Sequence, residues 1–197
     1  MFINVAIVSA LAALTSAIPG AEDTKTNYFT AIATHSGDHR IHLQQINASG
    51  QKFYLIKGTS TDCPQAKEID CSKYVNSTVF DSRSDGTLYL HVGVPGGQQV
   101  YIASGGALVY TAPHSANIPD DGQAATFTHT RPTSSGGLGT LVFDNKGFVA
   151  CPVKVDHYYA YQLYAWIPKF NGTFRTDCDG FGFATSAYSG PPAWEFS

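Results

Sequence analysis

The sequence predicts an all-β protein, an antiparallel β-sandwich or barrel-like domain held by two disulfides. Three observations lead there. Apolar and aromatic runs of strand length recur along the chain, Gly, Pro, Asn and Asp punctuate them at short spacing, and no long window carries a helical period.

The expected strands, in order, are Tyr28–His35, Arg40–Ile46, Phe53–Lys57, Thr78–Asp81, Thr87–Val94, Gln98–Ala103, Ala107–Thr111, Ala124–Thr130, Thr140–Phe143, Phe148–Val155, Tyr158–Ile167 and Phe181–Tyr188. Between them lie the turn formers Ser49-Gly50, Asp85-Gly86, Pro95-Gly96-Gly97, Gly105-Gly106, Asp121-Gly122, Lys146-Gly147 and Asn171-Gly172. In the second run Ile41 and Leu43 take one side and His42 the other. Thr87 to Val94 states the strand pattern most plainly. Leu88, Leu90, Val92 and Val94 alternate with Thr87, Tyr89, His91 and Gly93, so the leucine side should face the core. Past it, Val100 and Ile102 alternate around Tyr101, and paired glycines supply the positive φ that tight reversals need. Tyr158 to Ile167 is different. Tyr159, Tyr161, Leu163, Ala165 and Ile167 take one face, and Tyr158, Ala160, Gln162, Tyr164 and Trp166 the other, which suits a central strand covered on both sides. Pro64 to Ser72 is the one place for a helical turn.

The N-terminus carries an apolar run, Val5 to Leu14, followed by Thr15-Ser16-Ala17. That is too short to span a bilayer and ends in small residues, so residues 1–17 read as a signal peptide and 18–27 as a flexible lead-in. Residues 28–197 then form a single domain without internal repeats or a break in composition. No second run approaches the ~20 apolar residues of a spanning helix, so no membrane partner is expected. A net charge of −3, with no cluster of Lys or Arg, gives no footprint for nucleic acid. Charged residues are 14% of the chain, against ~25% in an average soluble protein. Ser, Thr, Gly and Tyr take their place, as in extracellular β proteins.

Cys63, Cys71, Cys151 and Cys178 allow three pairings. The favoured one joins Cys63 to Cys71, closing a short polar loop, and Cys151 to Cys178, tying an apolar strand to the loop after the next long one. Loop entropy assigns these about 2.5 and 3.5 kcal/mol. A zinc site is the alternative, but no C-x-x-C spacing exists and the chain reads as secreted. Asn47-Ala48-Ser49, Asn76-Ser77-Thr78 and Asn171-Gly172-Thr173 are acceptor sequons for N-glycosylation at Asn47, Asn76 and Asn171.

Catalytic chemistry is hard to find. A glycosidase needs two carboxylates across a cleft, yet the chain has three Glu, at 22, 68 and 195, none near another. Asp177 and Asp179 would share a face but flank Cys178, where turn hydrogen bonding explains them. No G-x-S-x-G elbow exists, His114-Ser115 are mere neighbours in sequence, and no glycine pair is followed by the Lys of a phosphate loop. His35, Asp38, His39 and His42 are the richest metal-like cluster. An extended chain points His39 away from His42, so neither metal nor cofactor is expected. Tyr158, Tyr164 and Trp166, on one face of the aromatic strand, are candidates for stacking on sugar rings, set against a plain core role.

Several segments resemble, in order and spacing, the phialide cell-wall protein (PhiA) family of filamentous fungi. They are Lys52-Phe53-Tyr54-Leu55, the Cys63-Pro64…Cys71 loop, Asn76-Ser77-Thr78-Val79-Phe80, the block from Val94 to Pro119, Gly147-Phe148-Val149-Ala150-Cys151-Pro152 and Ala193-Trp194. The resemblance implies a secreted glycoprotein of the extracellular cell wall, acting in asexual sporulation (phialide and conidium development, or conidiation) and in stress protection. It also implies IgE-binding allergen relatives. It transfers no catalytic residue, so the protein is expected not to be an enzyme, with wall polysaccharide or wall proteins as partners. The alternative is a secreted carbohydrate-binding module or effector using exposed aromatics.

Overall fold

A computed structural model describes residues 27–134, 136–167 and 177–197. The expected signal peptide, the lead-in as far as residue 26 and the Asn171 sequon lie outside the described residues. Among the described residues fourteen strands follow one another: β1 (Tyr28–Thr34), β2 (Asn47–Ser49), β3 (Lys52–Leu55), β4 (Thr61–Asp62), β5 (Phe80–Ser82), β6 (Leu88–Leu90), β7 (Gln98–Ile102), β8 (Leu108–Tyr110), β9 (Phe127–Thr130), β10 (Gly139–Phe143), β11 (Phe148–Val155), β12 (Tyr158–Ala165), β13 (Asp179–Ala187) and β14 (Glu195–Phe196).

Every pairing between these strands is antiparallel, with one isolated parallel bridge, Val92↔Ala193, among the described residues outside them, and the sheet closes on itself. From β1 the pairing runs through β5, β6, β7, β8, β3, β12, β11 and β13, and β13 pairs back with β1 from Phe29↔Ala187 to Thr34↔Gly182. The all-β expectation holds, in its barrel-like form. Closure removes free edges from the ring itself, while β9, at the end of the branch through β10, stays an edge strand. β13 is also where the sheet forks. Asp179 to Phe181 pair with β11, Phe183 to Thr185 pair with β10, and β9 extends beyond β10.

The period-2 pattern fills the ring. On β1, Phe29, Ala31 and Ala33 are buried while the residues between them are partly exposed. Leu88 and Leu90 of β6, Val100 and Ile102 of β7, and Phe181 and Phe183 of β13 join the same core. Phe80 sits at its centre, with ring centroids 5.3 Å from Phe29, 5.3 Å from Phe53 and 5.7 Å from Phe183. Each such side chain contributes about 1.5–3 kcal/mol by leaving water. The hairpin between β7 and β8 turns where the glycines predicted. The Gly106 amide donates to the Ala103 carbonyl at 2.9 Å, and the residue before it, Gly105, has φ +86°, a value L side chains rarely adopt.

Three expectations are corrected. Arg40–Ile46 is not a strand. Asp38 gathers the chain into a turn, its carbonyl accepting the amides of Ile41 at 3.2 Å and His42 at 2.8 Å. Leu43 takes φ +64°, so Ile41 is buried while Leu43 is 61% exposed, rather than both lying on one side. Thr87–Val94 shortens to Leu88–Leu90 because its later half changes partner, the Gly93 and Val94 amides donating to Ala193 and Trp194 carbonyls at 2.8 and 2.9 Å. The helical turn is a 3-10 turn at Cys71–Lys73, capped by the Asp70 carboxylate, at the end of the expected segment. The two-residue pair β4–β14 and the three-residue β2 are additions, too short to carry a period.

Both favoured disulfides are present, Cys63–Cys71 and Cys151–Cys178. A buried carboxamide makes a further long-range tie. Gln98 on β7 is wholly buried, its Nε2 donating to the Thr111 carbonyl at 3.2 Å and the Phe196 carbonyl at 3.0 Å. Its Oε1 accepts the Phe196 amide at 2.7 Å. Gln98 therefore satisfies β14 as a third strand would, and the Phe196 ring is held in the core at full burial.

Candidate functional site

The aromatic strand β12 is covered on both faces at its middle. Ala160, Tyr161, Gln162 and Leu163 are all buried, whereas Tyr158 is 43% exposed and Trp166, just past the strand, 46%. Tyr158, Tyr164 and Trp166 share the outward parity. At ~3.3 Å per residue, Tyr158 lies about 20 Å along the strand from Tyr164. Buried Ala160 and Gln162 intervene, so the three do not form one continuous platform. Tyr164, half-buried, and Trp166 share one end.

The histidine cluster is held by ordinary hydrogen bonds. The His35 amide donates to His42 Nδ1 at 3.2 Å, and the His35 ring nitrogen Nδ1 meets the Gly180 carbonyl. Among the described residues no group of three His, Cys, Asp or Glu side chains is arranged to hold a metal ion. Asp38 is clasped by the Arg40 side chain at 2.6 and 2.9 Å, which holds its carboxyl down to about 2. The same guanidinium reaches Asp179 at 3.5 Å, giving that residue an ion-pair partner. Ser115 Oγ accepts the Asn117 amide at 3.2 Å, a turn role next to His114, whose φ is +57°.

A site that no sequence pattern announced lies where β5, β9 and the start of β1 meet. β5 ends at Ser82 and runs into Arg83 and Ser84, and β9 is carried beside this turn by the Phe127 amide, which donates to the Gly86 carbonyl at 3.0 Å. Asn27, Ser82, Arg83, Ser84, His129 and Arg131 line a cleft of about 380 Å³. Alternation on β9 turns His129 inward with buried Phe127. Its Nδ1 is 3.0 Å from Ser82 Oγ, its Nε2 is 2.9 Å from the Oγ1 of buried Thr185, and its ring centroid lies 4.0 Å from that of Phe29. Burial, and then the positive charge of Arg131, push the imidazole down to about 4. Arg131 donates to the Asn27 side-chain oxygen. Arg83 lies 3.6 Å over the Tyr89 ring, a cation–π contact, with its Nε 3.8 Å from Asp81. Burial raises the Asp81 carboxyl and lowers His91.

A neutral, half-buried histidine makes stability depend on pH. The unfolded chain takes up a proton near 6.5 and the folded one only near 4, so this contribution is complete above pH 6.5 and is lost as pH falls toward 4. His91 adds with the same sign, and Asp81, raised by burial, opposes them near the bottom of the range. The denaturation midpoint is expected to fall between pH 6.5 and 4, and His129→Gln to flatten that fall. A midpoint as steep in the variant as in the parent would refute this.

The two described sequons differ. Asn47 lies in β2 with its Nδ2 donating to the Lys57 carbonyl at 3.0 Å and its Oδ1 accepting from Thr59 at 3.0 Å. The hydroxyl residues of the two sequons, Ser49 and Thr78, are both 5% exposed, so the asparagines themselves make the difference. Asn76 sits in an exposed bend, with a 3.3 Å bond from Thr61 to its Oδ1. Peptide mapping after enzymatic deglycosylation is expected to find the glycan at Asn76 and little at Asn47, and equal occupancy would contradict that.

A family model described as PhiA-like secreted protein matches residues 29–197. An uncharacterized secreted protein of Arthroderma benhamiae (strain ATCC MYA-4681 / CBS 112371) is 31% identical over 172 residues, covering 84% of each chain. No solved structure matches.

Proposed function

The chain belongs to the PhiA-like secreted protein family, and from this premise we propose that it is a non-enzymatic component of the fungal cell wall. It is a secreted fungal protein with a β-rich, disulfide-bonded fold. The observation that carries the proposal is a ring filled by its own aromatic side chains, with Phe29, Phe53, Phe80, Tyr110, Phe143 and Phe148 all fully or nearly fully buried. A barrel packed in this way works through its outer surface, as a wall-binding scaffold does, rather than by enclosing a substrate. The Ser82–His129 pair does not argue for hydrolysis. Its third member is a Thr hydroxyl, not a carboxylate able to stabilise an imidazolium, and a histidine near 4 is a weak base at neutral pH.

The protein would act as a glycoprotein in phialide and conidium development and in stress protection, with wall polysaccharide or wall proteins as partners. The same stable, disulfide-held surface suits recognition by IgE. Fractionation of cultures with an antibody against the protein tests the wall role. Retention in hyphal and spore walls, with fewer conidia in a deletion strain, is the expected result, and protein confined to the medium would overturn it.

A second reading, a secreted carbohydrate-binding module, draws on the 46% exposure of Trp166 at the end of β12. Binding to insoluble glucan or chitin that is lost in Trp166→Ala, with an unchanged circular dichroism spectrum, would favour it.

A further inference from the structure

We propose that the cleft between the β5–β6 turn and β9 is a binding site for an anionic group, a carboxylate or a phosphate carried on a single sugar unit. The proposal stands on the cleft alone and does not depend on a wall location.

The lining has one chemical character. Asn27, Ser82, Arg83, Ser84, His129 and Arg131 present two guanidinium groups, two hydroxyls, a carboxamide and an imidazole, and no carboxylate. This is a donor-rich spot on a chain whose net charge is −3. The acid close behind it, Asp81, lies 3.8 Å from Arg83 Nε on the side of Tyr89, and it balances only that arginine. Arg131 is held by the neutral side chain of Asn27, so its charge is not cancelled by that contact. A guanidinium offers paired N–H donors in a plane, the geometry that a carboxylate or phosphate accepts two at a time.

The donors are also held in place before any ligand arrives. Arg83 is stacked on Tyr89 at 3.6 Å, and the Arg131 guanidinium is tied to the Asn27 side chain, while His129, both of whose ring nitrogens are engaged by Ser82 and Thr185, forms a fixed floor. Preorganised donors lose less freedom on binding than side chains gathered from solvent. A volume of about 380 Å³ lies at the lower end of small-ligand sites, room for one charged monosaccharide.

The floor of the cleft responds to protons. With neutral His129, the Ser82 hydroxyl donates to Nδ1 and Nε2–H donates to Thr185 Oγ1, an arrangement consistent with both short contacts. When His129 gains a proton, Nδ1–H becomes the donor, so the Ser82 hydrogen turns to the Asn27 carbonyl, 3.4 Å away, and a positive charge is added below the anion. Phe29, Thr185 and Ser82 pack on the ring without charge, and Arg131, Arg83 and the more distant Asp81 are the ionised groups around it. Anion binding should therefore tighten as pH falls.

The test titrates the isotopically labelled full chain with sulfate, whose charge is constant across the range, and with glucuronate, glucose 6-phosphate and uncharged glucose. Saturable amide shifts at Asn27, Ser82 to Ser84 and His129 to Arg131 are expected with the anions and not with glucose. The tighter of glucuronate and glucose 6-phosphate identifies the source of the charge. Sulfate should bind more tightly at pH 4, where His129 is half protonated, than at pH 6.5, and Arg131→Gln should weaken it tenfold or more. Arg83→Gln, on an exposed turn, gives a second variant should the first fail to fold. Absence of saturation at tens of millimolar anion, equal binding of glucose, or affinity unchanged by both substitutions would overturn the proposal.

Discussion

Replacing Gln98 by alanine is expected to lower the free energy of unfolding by about 2–4 kcal/mol, because each buried polar group it leaves unpaired costs about 1–3 kcal/mol. Three backbone groups depend on this one side chain, the Thr111 carbonyl and both the carbonyl and amide of Phe196. Water cannot readily replace it, since Gln98 and Phe196 are both fully buried. Phe196→Ala removes the ring that Gln98 positions and should cost about 3–5 kcal/mol. Because the two act together, the double variant should lose less than the sum of the singles, by roughly 0.5–3 kcal/mol. In a chain of this size each kcal/mol moves the thermal midpoint by about 2–4 °C, so differential scanning calorimetry resolves all three variants. Additive losses would show that β14 does not depend on the carboxamide, and a Gln98→Ala midpoint equal to the parent would dismiss the clamp.

Removal of the Cys151–Cys178 bridge is expected to cost about 3.5 kcal/mol, against about 2.5 kcal/mol for Cys63–Cys71, from the loop each closes. The sequence separations are 27 and 8 residues. Position adds to the difference. Cys151 is 4% exposed on β11, opposite buried Gln162, while Cys63 lies in an exposed polar loop beside the 3-10 turn at Cys71–Lys73. Cys151→Ala with Cys178→Ala should therefore lower the midpoint more than Cys63→Ala with Cys71→Ala, each measured without reductant. The reverse order would mean that strain or residual structure in the unfolded chain outweighs loop entropy.

Much of this architecture is legible in single residues. Phe148–Val155 is predicted and found with the same bounds, and Gln98–Ala103, Tyr158–Ile167 and Phe181–Tyr188 are found within two residues at each end. These runs are long enough for alternation to declare itself, and glycine turns bound several of them. Arg40–Ile46 misleads because its alternation is accidental. The Asp38 carbonyl and carboxylate, which together accept the amides of Arg40, Ile41 and His42, outweigh the weak strand tendency of so short a run. Gln98 shares the inward parity of Val100 and Ile102, but nothing local names the distant backbone that satisfies its carboxamide.

By itself, the sequence determined the β class, the strand order along the chain, a favoured disulfide pairing that the structure bears out, and the resemblance that the family match bears out. All of these depend on local pattern, on spacing or on motif order. Only the tertiary structure decided that β13 returns to β1 to close a ring, that Gln98 meets Phe196 across 98 residues, and that Ser82 meets His129 across 47. Such contacts arise from the register in which distant strands pair. A shift of one residue would turn each of these side chains to the opposite face, and no neighbouring residue records which register the closed ring adopts.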